Sequence, residues 1–342
     1  MVRWTTESED TNMKDKINVS ISVFEKNFKM AKHAYTLNSS MEAAGCASAF
    51  IGDTEPVSED QFLRAKLIVK KNTKILSTLG HGNARQIVAA AVSTSADPEK
   101  AMKKIAEIHR KLDKKFFNSD YLVLSAVMIY KNVSEDRYEE VIDRTRKIYS
   151  LMRKDHPMIT GREDLINVTL MALTNVAVEA ITFRCEQDFQ ALKKHYHLKN
   201  NIQYLAGMLS IFDGAPDELA EGAKETQKNL KEHGVRFDAY GLPIIGAISA
   251  LISKADRDLV CRQISEVSDR LKSIRGMGSW GAGKRIRNMI ATAIVIDAYA
   301  EDKDSRIRAS VSAAIVSAVI AAEMAAIVAA SAAASSAAAS SS

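Results

Sequence analysis

The stretch GMGSWGAGKRIRNMI, residues 276–290, is where residue types and spacing come closest to a chemical site. Gly276, Gly278 and Gly281 fall in GxGxxG spacing, Gly283 follows, and GSWGAGK at 278–284 matches the first part of a phosphate loop. Clustered glycines let backbone amides approach an anion at a helix N-terminus, and Lys284, Arg285 and Arg287 add positive charge. Two features argue against a nucleotide. Arg285 stands where magnesium binding needs Ser or Thr, and the preceding segment reads as a helix where a strand is required. The expectation is a loop between helices that is a candidate for an anionic ligand or partner, with no cofactor.

The remaining chemistry-bearing residues give less. Lys114 and Lys115, Arg153 and Lys154, and Lys193 and Lys194 close successive helical segments, as do Lys70 and Lys71, Lys231 and Lys272. If those segments stack, the cations form a basic edge that could follow a nucleic-acid backbone or an acidic protein surface. Helix-dipole complementation explains the same residues, and interleaved Asp113, Asp155 and Glu232 dilute the edge. His195 and His197 are two apart, which on a helix separates them and forbids shared metal ligation. His81 sits in a Gly-rich turn. Cys46, Cys185 and Cys261 are too far apart for a paired metal or redox motif, and neither HExxH nor GxSxG occurs. No catalytic residue and no metal ligand is identified.

What must position these groups is a helical chain. Of 342 residues, 46% are apolar, 26% charged and only 5 are proline and 15 glycine, too little turn chemistry for a β-sandwich or barrel. Charged amphipathic segments recur, each closing on a large apolar residue: Val69, Leu112, Met152, Leu192, Leu230 and Leu271, at intervals of 43, 40, 40, 38 and 41 residues. Counting back by 4, 7 and 11 gives apolar faces such as Ile108, Ile105 and Ala101, degraded by Asp188 and Thr226 in two copies. Between them lie nearly uncharged segments, including YLVLSAVMIY and LPIIGAISALI, that read as helices buried on several sides. The fold class is therefore all-α: antiparallel helical hairpins stacked as a repeat array, solenoid-like, with about 14–15 helices.

Caps mark the boundaries. Asp97 precedes Pro98, Ser58 pairs with Gln61, Thr160 with Glu163, and Pro216 precedes Asp217 and Glu218. An amphipathic helix near 13–36, with Ile17, Ile21, Phe24, Phe28 and Ala31 on one face, is expected to cover the first hairpin. Residues 1–308 then form one domain. Residues 309–342 are Ala/Ser-rich with Glu323 as the single charge, and read as a last helix through Ile315, Val316, Val319 and Ile320 with a frayed end, not as a membrane span. The net charge of +5 is uneven: residues 1–60 hold 6 basic and 10 acidic side chains, residues 61–116 hold 13 and 4. The first twenty residues mix both signs without an apolar run, so a cytoplasmic location is expected.

The blocks KNTKILSTLGHGNARQIVAAAVSTSADPEKAM, FFNSDYLVLSAVMIY, YEEVIDRTRKIYSLMRKDHPMIT and LKSIRGMGSWGAGKRIRNMIATAIVID resemble, in order and spacing, the bacterial domain-of-unknown-function family 4003, from about Asp15 to the Ser/Ala-rich end. The resemblance implies a bacterial cytoplasmic protein and brings no activity, substrate or site residue. The expected function is a non-enzymatic helical-repeat scaffold or adaptor binding a protein partner. The alternative is nucleic-acid binding along the basic edge, and an all-α enzyme or ligand sensor with a pocket between the apolar helices ranks last.

Overall fold

The computed structural model describes residues 7–35, 39–73, 78–81, 84–114, 116, 119–237 and 241–301. The expected final helix of the tail and Lys115 lie outside the described residues. Among the described residues there are fifteen α-helices, two short 3-10 helices and no strand.

The helices fall into two kinds that the sequence pattern dictates. The charged kind comprises α1 (Glu7–Ala34), α3 (Glu59–Asn72), α6 (Pro98–Asp113), α8 (Tyr138–Asp155), α10 (Val178–Leu192), α12 (Pro216–Glu232) and α14 (Arg257–Lys272). Each buries one stripe only, and the closing residues Val69, Leu112, Met152, Leu192, Leu230 and Leu271 are all within it. The apolar kind comprises α2 (Ser40–Ser48), α5 (Arg85–Ser93), α7 (Asp120–Asn132), α9 (Leu165–Leu173), α11 (Lys199–Leu209), α13 (Leu242–Leu251) and α15 (Gly283–Glu301), with one-turn α4 (Thr78–His81) before α5. In α7, every residue from Leu122 to Ile129 is buried. A helix without a polar face has no stable position at the surface, so these seven take the interior.

Each charged helix packs on the apolar helix beside it: α1 on α2, α3 on α5, α6 on α7, α8 on α9, α10 on α11, α12 on α13 and α14 on α15. Successive apolar helices also touch, from α2 through α5, α7, α9, α11 and α13 to α15, and α15 returns to α2 and α1. The succession therefore closes on itself, with the apolar helices inside. The N-terminal helix joins the last hairpin instead of covering an end. Its stripe Ile17, Ile21, Phe24, Phe28 and Ala31 is buried as the pattern requires.

Polar bonds between apolar helices show that neighbours start level. The Ala84 amide donates to Asp120 (3.0 Å), Ser125 to Leu165 O (3.3 Å), Asn167 to Tyr204 O (3.0 Å), and Gln203 Nε2 to Thr160 Oγ1 (3.1 Å). The loops that lead into these helices consequently share one end of the molecule. That end also receives the C-termini of the charged helices, whose last turns carry Lys70 and Lys71, Arg110 and Lys111, Arg153 and Lys154, Lys231, and Arg270 and Lys272. First turns at the opposite end carry Glu59 and Asp60, Glu99, Glu139 and Glu140, Glu179, Asp217 and Glu218, and Asp258. Helix dipoles favour this sorting within each helix, and between successive charged helices the two sets meet: Lys111 pairs with Glu139, Lys194 with Asp217 (2.6 Å) and His233 with Asp258 (2.8 Å).

The caps follow the sequence at Ser58 with Gln61, at Asp97 with Pro98, and at Pro216. They depart from it at Thr160. Its hydroxyl donates back to His156 O (2.9 Å) and Met152 O (3.2 Å) and accepts from Gln203 Nε2 (3.1 Å), so it is engaged away from the next helix. That role passes one residue on: the Gly161 amide donates to Asp164 Oδ2 (2.8 Å) across a 3-10 turn, and α9 starts at Leu165.

Candidate binding groove

The glycine cluster folds back on itself. The amides of Met277, Gly281, Ala282 and Gly283 donate to the carbonyls of Ile274, Gly278, Gly276 and Gly278, at 2.9 to 3.1 Å. A phosphate loop keeps such amides free to converge on an anion, and these four are occupied. Gly276 has φ +100°, where L side chains are strained, and a Cβ there would crowd Phe28 of α1 and Ser40 of α2. Gly281 is needed for a different reason: a Cβ would lie 1.8 Å from the Gly276 carbonyl oxygen. Gly283 has φ +82°, Gly278 faces open space, and Trp280 is fully exposed at the tip.

Arg287 leaves the candidate anion set. It is buried, and its Nη1 donates to Met277 O at 2.7 Å, tying the loop to α15. Desolvation draws its guanidinium below the ordinary value, with Asp269 opposing. Arg285 is half-buried, while Lys284 stands exposed on the first turn of α15. A Cβ on Gly234 would lie 3.8 Å from Lys284 Nζ, and Asn288 Nδ2 donates to Arg236 O (3.3 Å). The first turns of α15 therefore abut the loop after α12.

That loop forms one wall of a groove of about 680 Å³ lined by Lys224, Lys228, Lys231 and Arg236, with Glu221 and Glu225. Leu230, Val235, Phe237 and Ile245 supply apolar surface to it. Both acids are engaged elsewhere: Glu221 with His195 (3.4 Å), Glu225 with Lys254 (2.8 Å) and Arg257 (3.4 Å). Lys224 lies 5.3 Å from the centre of the Tyr196 ring, and Lys228 is 3.9 Å from Glu232. The wall is cationic with apolar patches, a combination suited to an anionic ligand that also carries apolar surface. The closing residue Lys231 lines the groove, and Lys284 lies beside Gly234 in the loop that walls it. Arg236, Phe237 and the groove itself escape the sequence, because nothing local in GVRF signals a concave surface.

The basic edge is broken along its length. Lys194 bonds Asp217 of α12 (2.6 Å) and Lys193 bonds Gln190 (3.1 Å), whereas Lys114, Arg153 and Lys154 are exposed at helix ends. Three histidines at these ends meet acids of the next charged helix: His156 with Glu186 (2.6 Å), His195 with Glu221, and His233 with Asp258 (2.8 Å). The side chain of His81 lies outside the described residues.

Two carboxylates are buried, Asp164, which the sequence pattern does not mark, and Asp188, which stands on an apolar helix face. Asp164 and Gln203 are buried together, and Asp164 Oδ1 and Gln203 Oε1 have no donor. Burial pushes the Asp164 carboxyl up to about 7. Asp188 is also fully buried, against Arg184 (3.1 Å), and desolvation raises it to about 6. Burial raises the thiols of Cys46, Cys185 and Cys261, and all three are free. Among the described residues no group of three or more His, Cys, Asp and Glu side chains could hold a metal ion, and no helix is long and apolar enough to cross a membrane.

Neither the curated proteins nor the solved structures compared with this chain include a match. A family model does match, over residues 27–325, which takes in every hairpin from α2 onward, the glycine loop and the groove. The chain thus belongs to the family described as protein of unknown function, DUF4003.

Proposed function

We propose that the protein is a non-enzymatic scaffold of stacked helical hairpins that holds an acidic segment of a protein partner in the groove beside α12. The observation that carries this reading is the groove's lining, in which four cations flank apolar side chains, while Glu225 is paired with Lys254 and Arg257 and Glu221 lies 3.4 Å from His195. Acidic and apolar residues of a short segment match that pattern, and cationic walls raise the encounter rate with such a partner. The three free, buried thiols suit a reducing cytoplasm.

The test compares capture from a bacterial lysate by the native chain and by a Lys231→Glu, Arg236→Glu double variant of unchanged helix content. A stoichiometric partner retained by the first and lost by the second is the expected result. Equal capture by both, or none by either, removes the groove reading. Salt-sensitive binding of nucleic acid at low ionic strength, in place of protein, moves the function to the nucleic-acid alternative. The paired state of Lys193 and Lys194 and the scarcity of stacking aromatics on that edge favour the protein reading.

A further inference from the structure

The two carboxylates that line the groove beside α12 are met by different chemistry. Glu225 is held by Lys254 (2.8 Å) and Arg257 (3.4 Å), a lysine and an arginine, side chains that stay cationic throughout the neutral range. Glu221 is met by His195 Nε2 (3.4 Å), and an imidazole is a cation only when protonated. A second histidine holds the wall. His233 closes α12 and precedes the loop that supplies Val235, Arg236 and Phe237 to the lining. Its Nε2 lies 2.8 Å from Asp258 Oδ1, and its carbonyl accepts from Ser265 Oγ (2.8 Å), both on α14.

The two imidazoles act on one groove by separate routes. A neutral His195 leaves the Glu221 charge uncompensated beside the cations that an acidic ligand needs, whereas a protonated ring offsets it. A protonated His233 forms an ion pair with Asp258 and fastens the loop to α14, while a neutral ring leaves the weaker hydrogen bond. Other charged groups at these corners are engaged. Around His195, Lys193 bonds Gln190, Lys194 bonds Asp217 of α12, and Lys224 of α12 stands over the Tyr196 ring. Around His233, Glu232 is 3.9 Å from Lys228, Arg262 of α14 is 4.0 Å from Glu266, and Lys284 of α15 approaches Gly234. His156 with Glu186, Asp164 and Asp188 belong to the joints before α11, and none of them lines the groove.

We propose that the groove beside α12 is gated by protons: it holds an acidic segment tightly when His195 and His233 are protonated and releases it when they are neutral. This regulation presupposes that the groove takes such a segment. Binding then takes up protons, and by reciprocity the bound segment favours protonation of both rings.

The probe is a rhodamine-labelled peptide of alternating glutamate and leucine, titrated against the full-length chain at constant ionic strength. Affinity is expected to rise at least about fivefold from about pH 8 to about pH 6, the interval in which histidine ordinarily changes charge. In a His195→Gln, His233→Gln double variant of native helix content the rise disappears, because glutamine keeps a hydrogen bond but takes no proton. Asp164→Asn retains the rise, which separates the gate from the buried acid. Native affinity that stays level across the interval overturns the gate and leaves the groove as the site. So does a rise that survives in the double histidine variant, or one that is lost in Asp164→Asn. A peptide that binds at no pH, or binds a Lys231→Glu, Arg236→Glu variant equally well, removes the groove reading and the gate with it.

Discussion

Asp164 is buried beside Gln203 at the start of α9, and its Oδ1 has no hydrogen-bond partner. Burial favours the protonated acid over the carboxylate, against the hydrogen bonds from Gly161 and Gln203. The native chain then holds a proton up to about pH 7 that the unfolded chain releases near its ordinary value of 3.8. The native state binds more protons across that window, so stability falls as pH rises from about 4 to about 7 and levels off above. Asp164→Asn copies the protonated acid. The variant is expected to melt higher than the native chain at pH 8, by roughly 1–3 kcal/mol, and to match it at pH 4. Equal melting temperatures at pH 8 would dismiss the protonated state. At the glycine loop, Gly281→Ala forces its methyl onto the Gly276 carbonyl and is expected to cost about 1–3 kcal/mol in urea unfolding. Neither effect could be read from the sequence. Glu163 and Asp164 are equally plausible cap residues there, and only the use of Thr160 by the end of α8 decides between them. The glycine cluster stands out in the sequence, but its spacing is shared by loops that bind anions and loops that bind themselves.

At the scale of the element, charged helices hold their neighbours by reaching one hairpin ahead. Arg144 of α8 donates to the carbonyls of Ala172 (3.0 Å), Thr174 (2.9 Å) and Val176 (2.6 Å), where α9 ends and α10 begins. Lys104 meets Glu135 (2.5 Å) before α8, and Arg184 donates to Gly214 O (2.5 Å) before α12. Positions 104, 144 and 184 stand in the same relation to Leu112, Met152 and Leu192. In α12 the equivalent position is Gly222, and the guanidinium of Arg257 from α14 comes to within 3.3 Å of where its Cβ would be, while also donating to Ser249 O. Arg144→Ala leaves three helix-end carbonyls without their charged donor, and is expected to cost about 2 kcal/mol by denaturant titration, with Arg144→Lys recovering part of it. A loss below experimental error would mean water replaces the guanidinium. The roughly 40-residue spacing and the two helix types were legible because apolar stripes and buried helices leave periodic residues. The clamps were not, since a Lys or Arg on a helix looks alike whether it faces water or a neighbour's carbonyls. Asp188 and Thr226, which weaken the pattern, are buried at core positions all the same.

For the molecule as a whole, the contact of α15 with α1 and α2 decides how it unfolds. Hairpins in a row with free ends fray from those ends, and their stability is a sum of neighbour terms. Here Phe28 of α1 lies beneath Gly276, so the first helix and the last loop share one packing site. Phe28→Ala is expected to cost about 3–5 kcal/mol. It should also raise amide exchange in α1, α2, α14 and α15 alike, with residues 165–209 protected longer. Faster exchange confined to α1 would show that the two ends are energetically separate. Closure is the part of the architecture that the sequence did not disclose. Periodicity describes each hairpin's relation to the next, and says nothing of how far the row turns before it ends.

A row with two ends can gain or lose a hairpin by duplication or deletion of a gene segment and keep every remaining contact. A succession that meets itself cannot, because one unit more or less alters the curvature at every joint and parts α1 from α15. The number of hairpins is thereby held constant by geometry. Variation among natural versions of this chain should then collect in loop length and loop residues, with the count of hairpins unchanged.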